Sequence, residues 1–487
     1  MTTLITFIVY LAGMLAIGII GYRLTSNLSD YFLGGRRLGP GVAALSAGAS
    51  DMSGWLLLGL PGAIYASGLV GAWIAVGLAI GAYLNWQFVA RRLRTYTEVS
   101  NDSITIPDFF ENRFKDNSHI LRLVSAIVIL FFFTIYTASG MTAGAKLFSS
   151  SFDLSYTQGL WIGAIVIIAY TFLGGFIAVS WTDFIQGILM FFALIILPIV
   201  AISELGGWQE TLNVIGQASD GVHLEMLAGV GAIAVISNLA WGLGYFGQPH
   251  ILVRFMGLKS HKDVPKARFI GTTWMVVGLY GAIFAGLAGY ALSQEGMLTL
   301  GDGEEVFILM SQVLTHPLVA GVLLAAILSA IMSTIDSQLL VSSSALAEDF
   351  YKGIFRKNAS DKELVTVGRL SIAIIAIIAI LIASNPDNSV LGLVSYAWAG
   401  FGAAFGPIVL LSLFWKRVTA VGAIVGMIAG AVTVVVWANI KGGIFELYEI
   451  VPGFLLNLVL AVVLSLATSP KPEMEEEFEK ARQMAQE

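Results

Sequence analysis

The chain has 487 residues, of which 57% are hydrophobic and only 12% are charged, and its mean hydropathy is +0.83. Ordinary soluble domains carry about 25% charged residues, so the composition excludes a soluble protein and indicates an integral membrane protein. The formal charge of -6 excludes no function, but the absence of cysteine excludes disulfides, thiolate catalysis and cysteine-based metal sites.

A helix needs roughly 20 mostly apolar residues to cross the hydrocarbon core of a bilayer. Thirteen segments of the sequence meet this condition, and we expect a single all-α transmembrane domain over 1–487 with a short, charged cytoplasmic tail at 471–487. The predicted spans are 4–22, 42–66, 70–90, 120–148, 157–178, 181–203, 226–249, 268–293, 317–347, 365–384, 389–415, 419–438 and 448–467.

The distribution of basic residues predicts the orientation of these spans. With the N-terminus outside, all but two of the 26 Lys and Arg residues fall in inner segments, and Arg254 is counted there as a loop residue. The two exceptions are Lys146 and Lys441. Such a bias follows the positive-inside rule, and it predicts an outer N-terminus and a cytoplasmic C-terminus.

A carboxylate lies in the second predicted span, in the stretch SAGASDMSGWLLLGLPG. Asp51 is about ten residues from the inner end, or roughly 15 Å, which is mid-bilayer. The surrounding Gly48, Ser50, Ser53 and Gly54 favour an interrupted helix. Interrupted spans expose carbonyl groups at membrane depth and bind ions or substrates in many transporters, although a buried Asp satisfied by hydroxyl groups remains the alternative.

A second interruption is predicted five spans later, in SNLAWGLGYFGQPH. Three glycines and Pro249 weaken the helix, and Trp241 and Tyr245 are expected one turn apart on one face. These two side chains indicate either a substrate pocket or ordinary packing.

A stripe of small polar residues marks the ninth predicted span, in AIMSTIDSQLLVSSS. Ala330, Ser333, Thr334 and Ser337 follow the spacing of one helical face. Such a stripe can join helices through hydrogen bonds, or it can supply the oxygen ligands that Na⁺ prefers.

These motifs resemble the solute:sodium symporter family, and within it the bacterial members that carry proline. The resemblance extends over essentially the whole chain and is carried by YFLGGRRLGP, SAGASDMSGWLLLGLPGA, GGFIAVSWTDFIQG, WGLGYFGQPHILVRFM and MSTIDSQLLVSSSALAEDFY. It implies thirteen spans in the leucine-transporter fold, with inverted five-helix repeats at about 42–203 and 226–415. The accessory spans would be 4–22, 419–438 and 448–467.

The resemblance also implies a sodium site and a substrate pocket. The sodium ligands would be the carbonyl groups of Ala49, Met52 and Ala330 with the hydroxyl groups of Ser333 and Thr334, and Asp51 would couple sodium to transport. The residues expected around the substrate, L-proline, are Ser53, Gly54, Trp55, Tyr136, Trp241, Tyr245 and Pro249.

Two further features have open interpretations. Arg36 matches an arginine linked to sodium-coupled transport, although it could equally be a positive-inside anchor. Asp183, Asp336 and Ser337 match a second sodium site of some wider-family members, but Asp336 replaces a serine. The pair of carboxylates therefore indicates a second cation or proton site, or a hydrogen-bonded acid pair.

The resulting prediction is Na⁺-coupled uptake of L-proline by alternating access across a bacterial plasma membrane. The expected partners are L-proline, Na⁺ and the lipid bilayer, without nucleic acid or an obligate protein partner. The alternatives are a Na⁺ symporter for a sugar, sialic acid or pantothenate, a channel, and a membrane enzyme. The last is disfavoured because all five histidines, including His250, are expected at span ends or in loops.

Overall fold

The computed structural model describes residues 2–25, 27–171 and 175–487. Over these residues the chain is helical, and its one β-type contact is a bridge between Leu38 and Leu258. Ten helical segments in the described ranges are long and apolar enough to cross a membrane, and two shorter apolar segments, Tyr156–Thr171 and Ala232–Gly247, accompany them. The structure therefore confirms an all-α chain built for a membrane.

The first eleven α-helices contain the first interrupted span. They are α1 (Thr2–Arg23), α2 (Leu28–Leu33), α3 (Pro40–Asp51), α4 (Leu60–Ser67), α5 (Ala72–Leu84), α6 (Ala90–Val99), α7 (Ile106–Phe114), α8 (Ile120–Phe152), α9 (Tyr156–Thr171), α10 (Phe176–Glu204) and α11 (Trp208–Ser219).

The remaining ten helices contain the second interrupted span and the tail. They are α12 (Ala232–Leu239), α13 (Pro249–Met256), α14 (Val264–Gln294), α15 (Val306–Leu314), α16 (Pro317–Ser344), α17 (Asp361–Ala383), α18 (Val390–Phe414), α19 (Ala420–Ala438), α20 (Ile450–Ala467) and α21 (Pro472–Gln486).

Each predicted span coincides with one or more helices, but two boundaries were wrong. The sequence places a break between 178 and 181, whereas α9 ends at Thr171 and α10 already begins at Phe176. The span predicted from 226 begins only at Ala232, after Gly231 with an extended backbone. Apolar residues continue through both boundaries, so hydropathy alone could not find them.

The predicted interruption around Asp51 is present. Helix α3 ends at Asp51, and Met52 leaves helical geometry with φ -76° and ψ 32°. A π-helical turn over Trp55–Gly59 then leads into α4. Because each hydrogen bond of a π-turn spans an extra residue, the chain departs from regular α-helical bonding between Met52 and Gly59.

The second interruption has a different form from the one expected. Residues Ala240–Gly247 form a 3₁₀-helix between α12 and α13, and Pro249 begins α13. A 3₁₀-helix has three residues per turn, so Trp241 and Tyr245 do not share one α-helical face. Glycine permits this path because a Cβ at Gly244 would overlap the Trp398 indole.

Most of the apolar stretch is buried in α16 and α18, whereas only 22–33% of that stretch is buried in α1, α19 and α20. Helix α16 contacts α3, α8 and α10, so it lies at the centre of the bundle beside the first interruption. The hydroxyl stripe of α16 therefore faces protein rather than lipid.

Candidate functional site

The end of α3 and the middle of α16 bring together four of the five predicted sodium ligands. The Ser333 hydroxyl donates to the Ala49 carbonyl at 2.8 Å and lies 3.2 Å from the Ala330 carbonyl. The Thr334 hydroxyl lies 3.4 Å from the same Ala49 carbonyl. Two carbonyl and two hydroxyl oxygens thus converge, which is the ligand chemistry of a hard monovalent cation. The fifth residue, Met52, is the first one beyond α3.

Asp51 lies at the break itself and is 3% exposed. The Tyr245 hydroxyl donates to one of its carboxylate oxygens, and the Tyr136 hydroxyl lies 3.4 Å from its backbone carbonyl. Its other carboxylate oxygen has no hydrogen-bond partner among the described residues. A buried carboxylate oxygen without a donor favours a cation in its neighbourhood.

Aromatic rings surround the two interruptions. Trp241 lies 6.1 Å from Trp55, 5.5 Å from Tyr448 and 6.4 Å from Trp398, measured between ring centroids. Tyr245 meets Trp398 edge to face at 5.0 Å. The predicted pocket residues Trp55, Trp241 and Tyr245 therefore belong to one buried aromatic group, which the sequence had not extended to Trp398 and Tyr448.

The other predicted pocket residues adjoin this group. The Ser53 hydroxyl accepts from the Trp55 amide at 3.3 Å, and a Cβ on Gly54 would come within 2.9 Å of Ala143 in α8. Tyr136 in α8 packs against the His250 ring at 5.8 Å, directly after Pro249. The first interruption, α8 and the start of α13 thus form continuous walls around Asp51.

A cavity opens beside Asp51 toward the N-terminal half of α3. Its walls come from α3, α5, the π-turn Asn85–Val89 that follows α5, the 3₁₀-helix, α13 and α14. The lining residues are Ala44, Ala47, Gly48, Asp51, Ala82, Asn85, Trp86, Tyr245, Ile251, Phe255, Gly271, Thr272 and Met275. Its polar groups include Asp51, Asn85 and the Tyr245 ring. Asn85 is fixed by a hydrogen bond to the Tyr245 carbonyl at 3.0 Å.

The predicted acidic pair has a partner that the sequence did not reveal. Arg254 is completely buried in α13 and donates to Asp183 at 3.1 Å and to Ser337 at 2.6 Å. Its assignment to an inner loop was therefore wrong, because α13 continues the span beyond the second interruption. Asp336 lies next to Ser337, whose hydroxyl is 3.4 Å from an Asp336 oxygen.

Arg36 lies before α3, in a segment that the sequence predicts on the inner side, and has a left-handed φ of 53°. Its guanidinium pairs with Asp102 at 3.0 Å and donates to the carbonyl groups of Met256 and Ser103, each at 2.8 Å. Burial lowers the pKa of Arg36, although the nearby Asp102 opposes that effect. Arg36 thus joins the segments that precede α3, follow α6 and end α13.

His250 also lies elsewhere than predicted. It is the second residue of α13, completely buried, and its ring packs against Phe133 and Tyr136 at 5.5 Å and 5.8 Å. Neither ring nitrogen has a hydrogen-bond partner among the described residues. Both His250 and Arg254 belong to the helix that restarts at Pro249, which buries the two side chains together.

A bundle in which two interrupted helices meet beside a buried carboxylate and converging oxygens is that of a secondary transporter. The profile of the sodium:solute symporter family matches residues 31–430. The chain belongs to this family. This membership confirms the resemblance, supports sodium as the coupling ion, and agrees with a transporter rather than an enzyme.

Several proteins are similar over nearly their whole length. The chain is 55% identical over 483 residues to a sodium/proline symporter of Salmonella typhimurium, covering 98% of this chain and 96% of that protein. It is 54% identical to a high-affinity proline transporter of Bacillus subtilis, covering 96% and 98%. An osmoregulated proline transporter of the same species is 51% identical, with 94% of each chain covered.

Two solved structures share the fold. A Na⁺-coupled sialic acid symporter in a substrate-bound outward-open state has a TM-score of 0.79 at 21% identity, covering 96% of this chain and 98% of that one. A nucleobase-cation-symport-1 family transporter in a closed conformation has a TM-score of 0.58 at 15% identity, covering 94% and 100%. At these identities the likeness concerns the fold alone.

Proposed function

We propose that the protein is a secondary active transporter that couples the entry of Na⁺ to the uptake of L-proline. The observation that carries this proposal is the position of Asp51, at the end of α3, beside both the oxygen cluster and the aromatic group. The relatives named as proline transporters, at 51–55% identity, support proline as the substrate.

The sodium ion would bind between α3 and α16. Its ligands would be the carbonyl groups of Ala49, Met52 and Ala330 and the hydroxyl groups of Ser333 and Thr334. The contacts of the two hydroxyl groups with the Ala49 carbonyl, and of Ser333 with the Ala330 carbonyl, support this set. Asp51 would supply the negative charge that favours a cation at this depth. Sodium is therefore a co-substrate whose binding holds the broken end of α3 against α16.

The substrate would bind at the break, among Ser53, Gly54, Trp55, Tyr136, Trp241, Tyr245 and Pro249. The Trp55 amide, which donates to the Ser53 hydroxyl, would donate to the substrate carboxylate instead, as the ends of interrupted helices do in transporters. The aromatic faces suit a pyrrolidine ring and attract its ammonium group. Sodium nearby lowers the cost of bringing the substrate carboxylate into the bilayer.

Transport would proceed by alternating access. Binding of Na⁺ stabilises the state that accepts substrate from outside, and binding of both permits the change to a state that opens inward. Arg36 ties together three inner segments that must separate when the inner side opens. Its role in this proposal is therefore that of a coupling residue at the inner gate.

The driving force is sufficient for accumulation. A membrane potential of 100 mV supplies about 2.3 kcal/mol per charge, and a tenfold sodium gradient supplies about 1.4 kcal/mol. One Na⁺ per substrate would thus sustain an accumulation of roughly several hundredfold.

The architecture proposed for this function has thirteen crossings in one domain. Spans two to eleven would form inverted repeats at about 42–203 and 226–415, with an interrupted helix in corresponding positions of each. Contacts between segments assigned to one side support their common side: Arg36 meets Asp102, and Lys115 meets Glu477 of the tail. On the opposite side Lys146 pairs with Glu304 at 2.7 Å.

In the cell the carrier would lie in a bacterial plasma membrane, with its N-terminus outside and its C-terminus in the cytoplasm. The exposed apolar surfaces of α1, α19 and α20 suit contact with lipid. The carrier would need no obligate protein partner. Symport of a sugar, sialic acid or pantothenate, and a channel, remain the alternatives that the experiment separates.

The proposal is tested by uptake of radiolabelled L-proline into proteoliposomes, with an inward Na⁺ gradient and with an equal K⁺ gradient. We expect accumulation only with Na⁺. Asp51→Ala should abolish it and Ser333→Ala should weaken it. Ser344→Ala, at the end of the same helix, is the matched control because the Ser344 hydroxyl donates within its own helix, to the Val341 carbonyl.

Sodium-driven uptake of another solute, without proline uptake, would refute proline as the substrate but would agree with the proposed sodium site. Flux that neither saturates nor accumulates substrate would indicate a channel. Equal uptake with K⁺ would refute sodium coupling.

A further inference from the structure

We propose that the guanidinium of Arg254 is a resident cation that fills the position of a second transported ion beside Asp183. This inference rests on the proposed symport and adds that the acidic pair does not bind a second Na⁺ during the cycle. The polar centre formed by Ser46, Asp183, Arg254 and Ser337 is called the arginine centre below.

The arginine centre has the ligands of a cation site. The Arg254 guanidinium donates to the Ser46 hydroxyl at 3.0 Å, to the His250 carbonyl at 2.9 Å, to Asp183 at 3.1 Å and to Ser337 at 2.6 Å. These are one carboxylate, two hydroxyls and one backbone carbonyl, which are the hard oxygen ligands that Na⁺ also takes. The guanidinium therefore occupies the place where a second ion would have to bind.

The burial of the centre makes a positive charge necessary. Asp183 and Arg254 are both completely buried, and an isolated carboxylate in such surroundings is strongly unfavourable. The face of the Phe176 ring lies 5.1 Å from the guanidinium and closes one side of the centre. A fixed charge neutralises Asp183 in every state of the cycle, whereas a bound ion would do so only after loading.

The arginine centre adjoins the proposed sodium site. Ser46 lies about one helical turn before Ala49 in α3, and Ser337 lies one turn after Ser333 in α16. The Ser337 hydroxyl also donates to the Ser333 carbonyl at 2.7 Å. Helices α3 and α16 thus contact the Arg254 guanidinium at one helical turn and form the proposed Na⁺ site at the adjacent turn.

The position of Arg254 in α13 has a further consequence. It joins the half-helix after the second interruption to α3, the half-helix before the first interruption. It also joins both half-helices to α10 and α16. A charge carried on α13 travels with that half-helix, so it is not released into the cytoplasm and contributes nothing to the transported charge.

The stoichiometry of the unaltered protein tests this directly. ²²Na⁺ and ³H-proline are added to the medium outside proteoliposomes, and the initial rates at which both enter are measured. We expect one Na⁺ per proline and, by equilibrium dialysis of the purified protein, one bound Na⁺ per chain. Two Na⁺ per proline, or two bound per chain, would overturn the proposal.

Removing the resident charge should create the second ion site. In Arg254→Gln the uncompensated Asp183 should recruit Na⁺, so the flux ratio rises from one to two and the Hill coefficient for Na⁺ rises above one. Arg254→Lys, which keeps the charge, should stay at one, and the double variant Arg254→Gln with Asp183→Asn should return to one. A purely structural ion pair would change stability but not this ratio.

An Arg254→Gln protein that transports with an unchanged ratio of one contradicts the proposal. If this variant does not fold, the number of Na⁺ bound to the unaltered chain tests the proposal: one supports it and two overturns it. A failure of the proposed proline transport can be told apart from a failure of this inference. If the protein bound sodium but did not take up proline, the number of Na⁺ bound per chain could still be measured.

Discussion

The hydroxyl group of Tyr245 fixes Asp51 at the break in α3, and its removal is the simplest test of that arrangement. Hydrogen bonds to charged groups contribute about 1.5–3 kcal/mol. In Tyr245→Phe we therefore expect the Na⁺ concentration for half-maximal uptake to rise roughly 10- to 100-fold, measured in proteoliposomes at saturating proline.

The matched control is Tyr280→Phe, because Tyr280 is 59% exposed on the outside of α14. It should leave the sodium dependence unchanged. A Tyr245→Phe protein with normal sodium dependence would show that Asp51 does not act through this contact.

The two carboxylates of the acidic pair should differ in their effect on stability. Asp183 pairs with Arg254, and removing one partner of a buried ion pair costs about 3–5 kcal/mol. Asp336 makes no ion pair within residues 2–25, 27–171 and 175–487, and one of its oxygens has no partner there. We therefore expect Asp183→Asn to lower the midpoint of thermal unfolding in detergent strongly.

Asp336→Asn serves as the comparison and should cost less than about 1 kcal/mol. Equal losses in the two variants would mean that the ion pair with Arg254 does not set the stability of this centre.

The residues of the site were predictable where a polar side chain lies within an apolar membrane span. Asp51 and Ser333 could be found because a carboxylate and a stripe of hydroxyls interrupt apolar spans. Arg254 and His250 could not, because the positive-inside rule explains an arginine near a span end without any partner. Recognising the arginine centre needs the path of α13, which follows from tertiary packing.

At the scale of the element, the close approach of the 3₁₀-helix to α18 depends on Gly244. A Cβ there would overlap the Trp398 indole, whose ring nitrogen donates to the Trp241 carbonyl at 2.7 Å. We expect Gly244→Ala to destabilise the protein by about 1–3 kcal/mol and to reduce uptake, measured by thermal unfolding and by proline flux.

Gly13→Ala is the control in α1, because no atom lies within 4 Å of the added Cβ. It should be neutral or slightly stabilising, since alanine favours a helix over glycine. Unchanged stability and flux in Gly244→Ala would mean that the aromatic group can shift without cost.

Glycine and proline predicted where the helices are interrupted but not how. The first break became a π-turn and the second a 3₁₀-helix, because the neighbours of each segment select its hydrogen bonding. The boundary between α9 and α10 was also displaced, since Phe176 and Ile177 are as apolar as the residues of a span. The sequence therefore locates an interruption only where the residue composition changes along the chain.

At the scale of the whole molecule, the sequence predicted a charged tail but not where that tail docks. Helix α21 packs on α6, with Phe478 edge to face against Tyr96 at 6.1 Å and Glu477 paired with Lys115. A single buried phenylalanine in a charged helix gives no indication of its partner. The tail and residues near Tyr96 and Lys115, distant in sequence, therefore form one surface that only the folded chain reveals.

The thirteen crossings and their orientation can be tested because the chain contains no cysteine. Each single cysteine introduced into the exposed ends and loops is then the only target of a membrane-impermeant maleimide. We expect Lys441→Cys and Thr2→Cys to be labelled from outside intact cells, because both fall on the outer side of the predicted topology. Lys357→Cys and Gln486→Cys should be labelled only after the membrane is opened.

The termini carry the decisive information, since an odd number of crossings must leave them on opposite sides. Labelling of Thr2→Cys and Gln486→Cys from the same side would require an even number and would contradict the thirteen-span topology. If Lys357→Cys but not Lys441→Cys were labelled from outside, the result would agree with thirteen crossings in the opposite orientation. Because 23 of the 26 basic residues lie on the predicted inner side once Arg254 is placed in its span, that reversal would also violate the positive-inside rule along the whole chain.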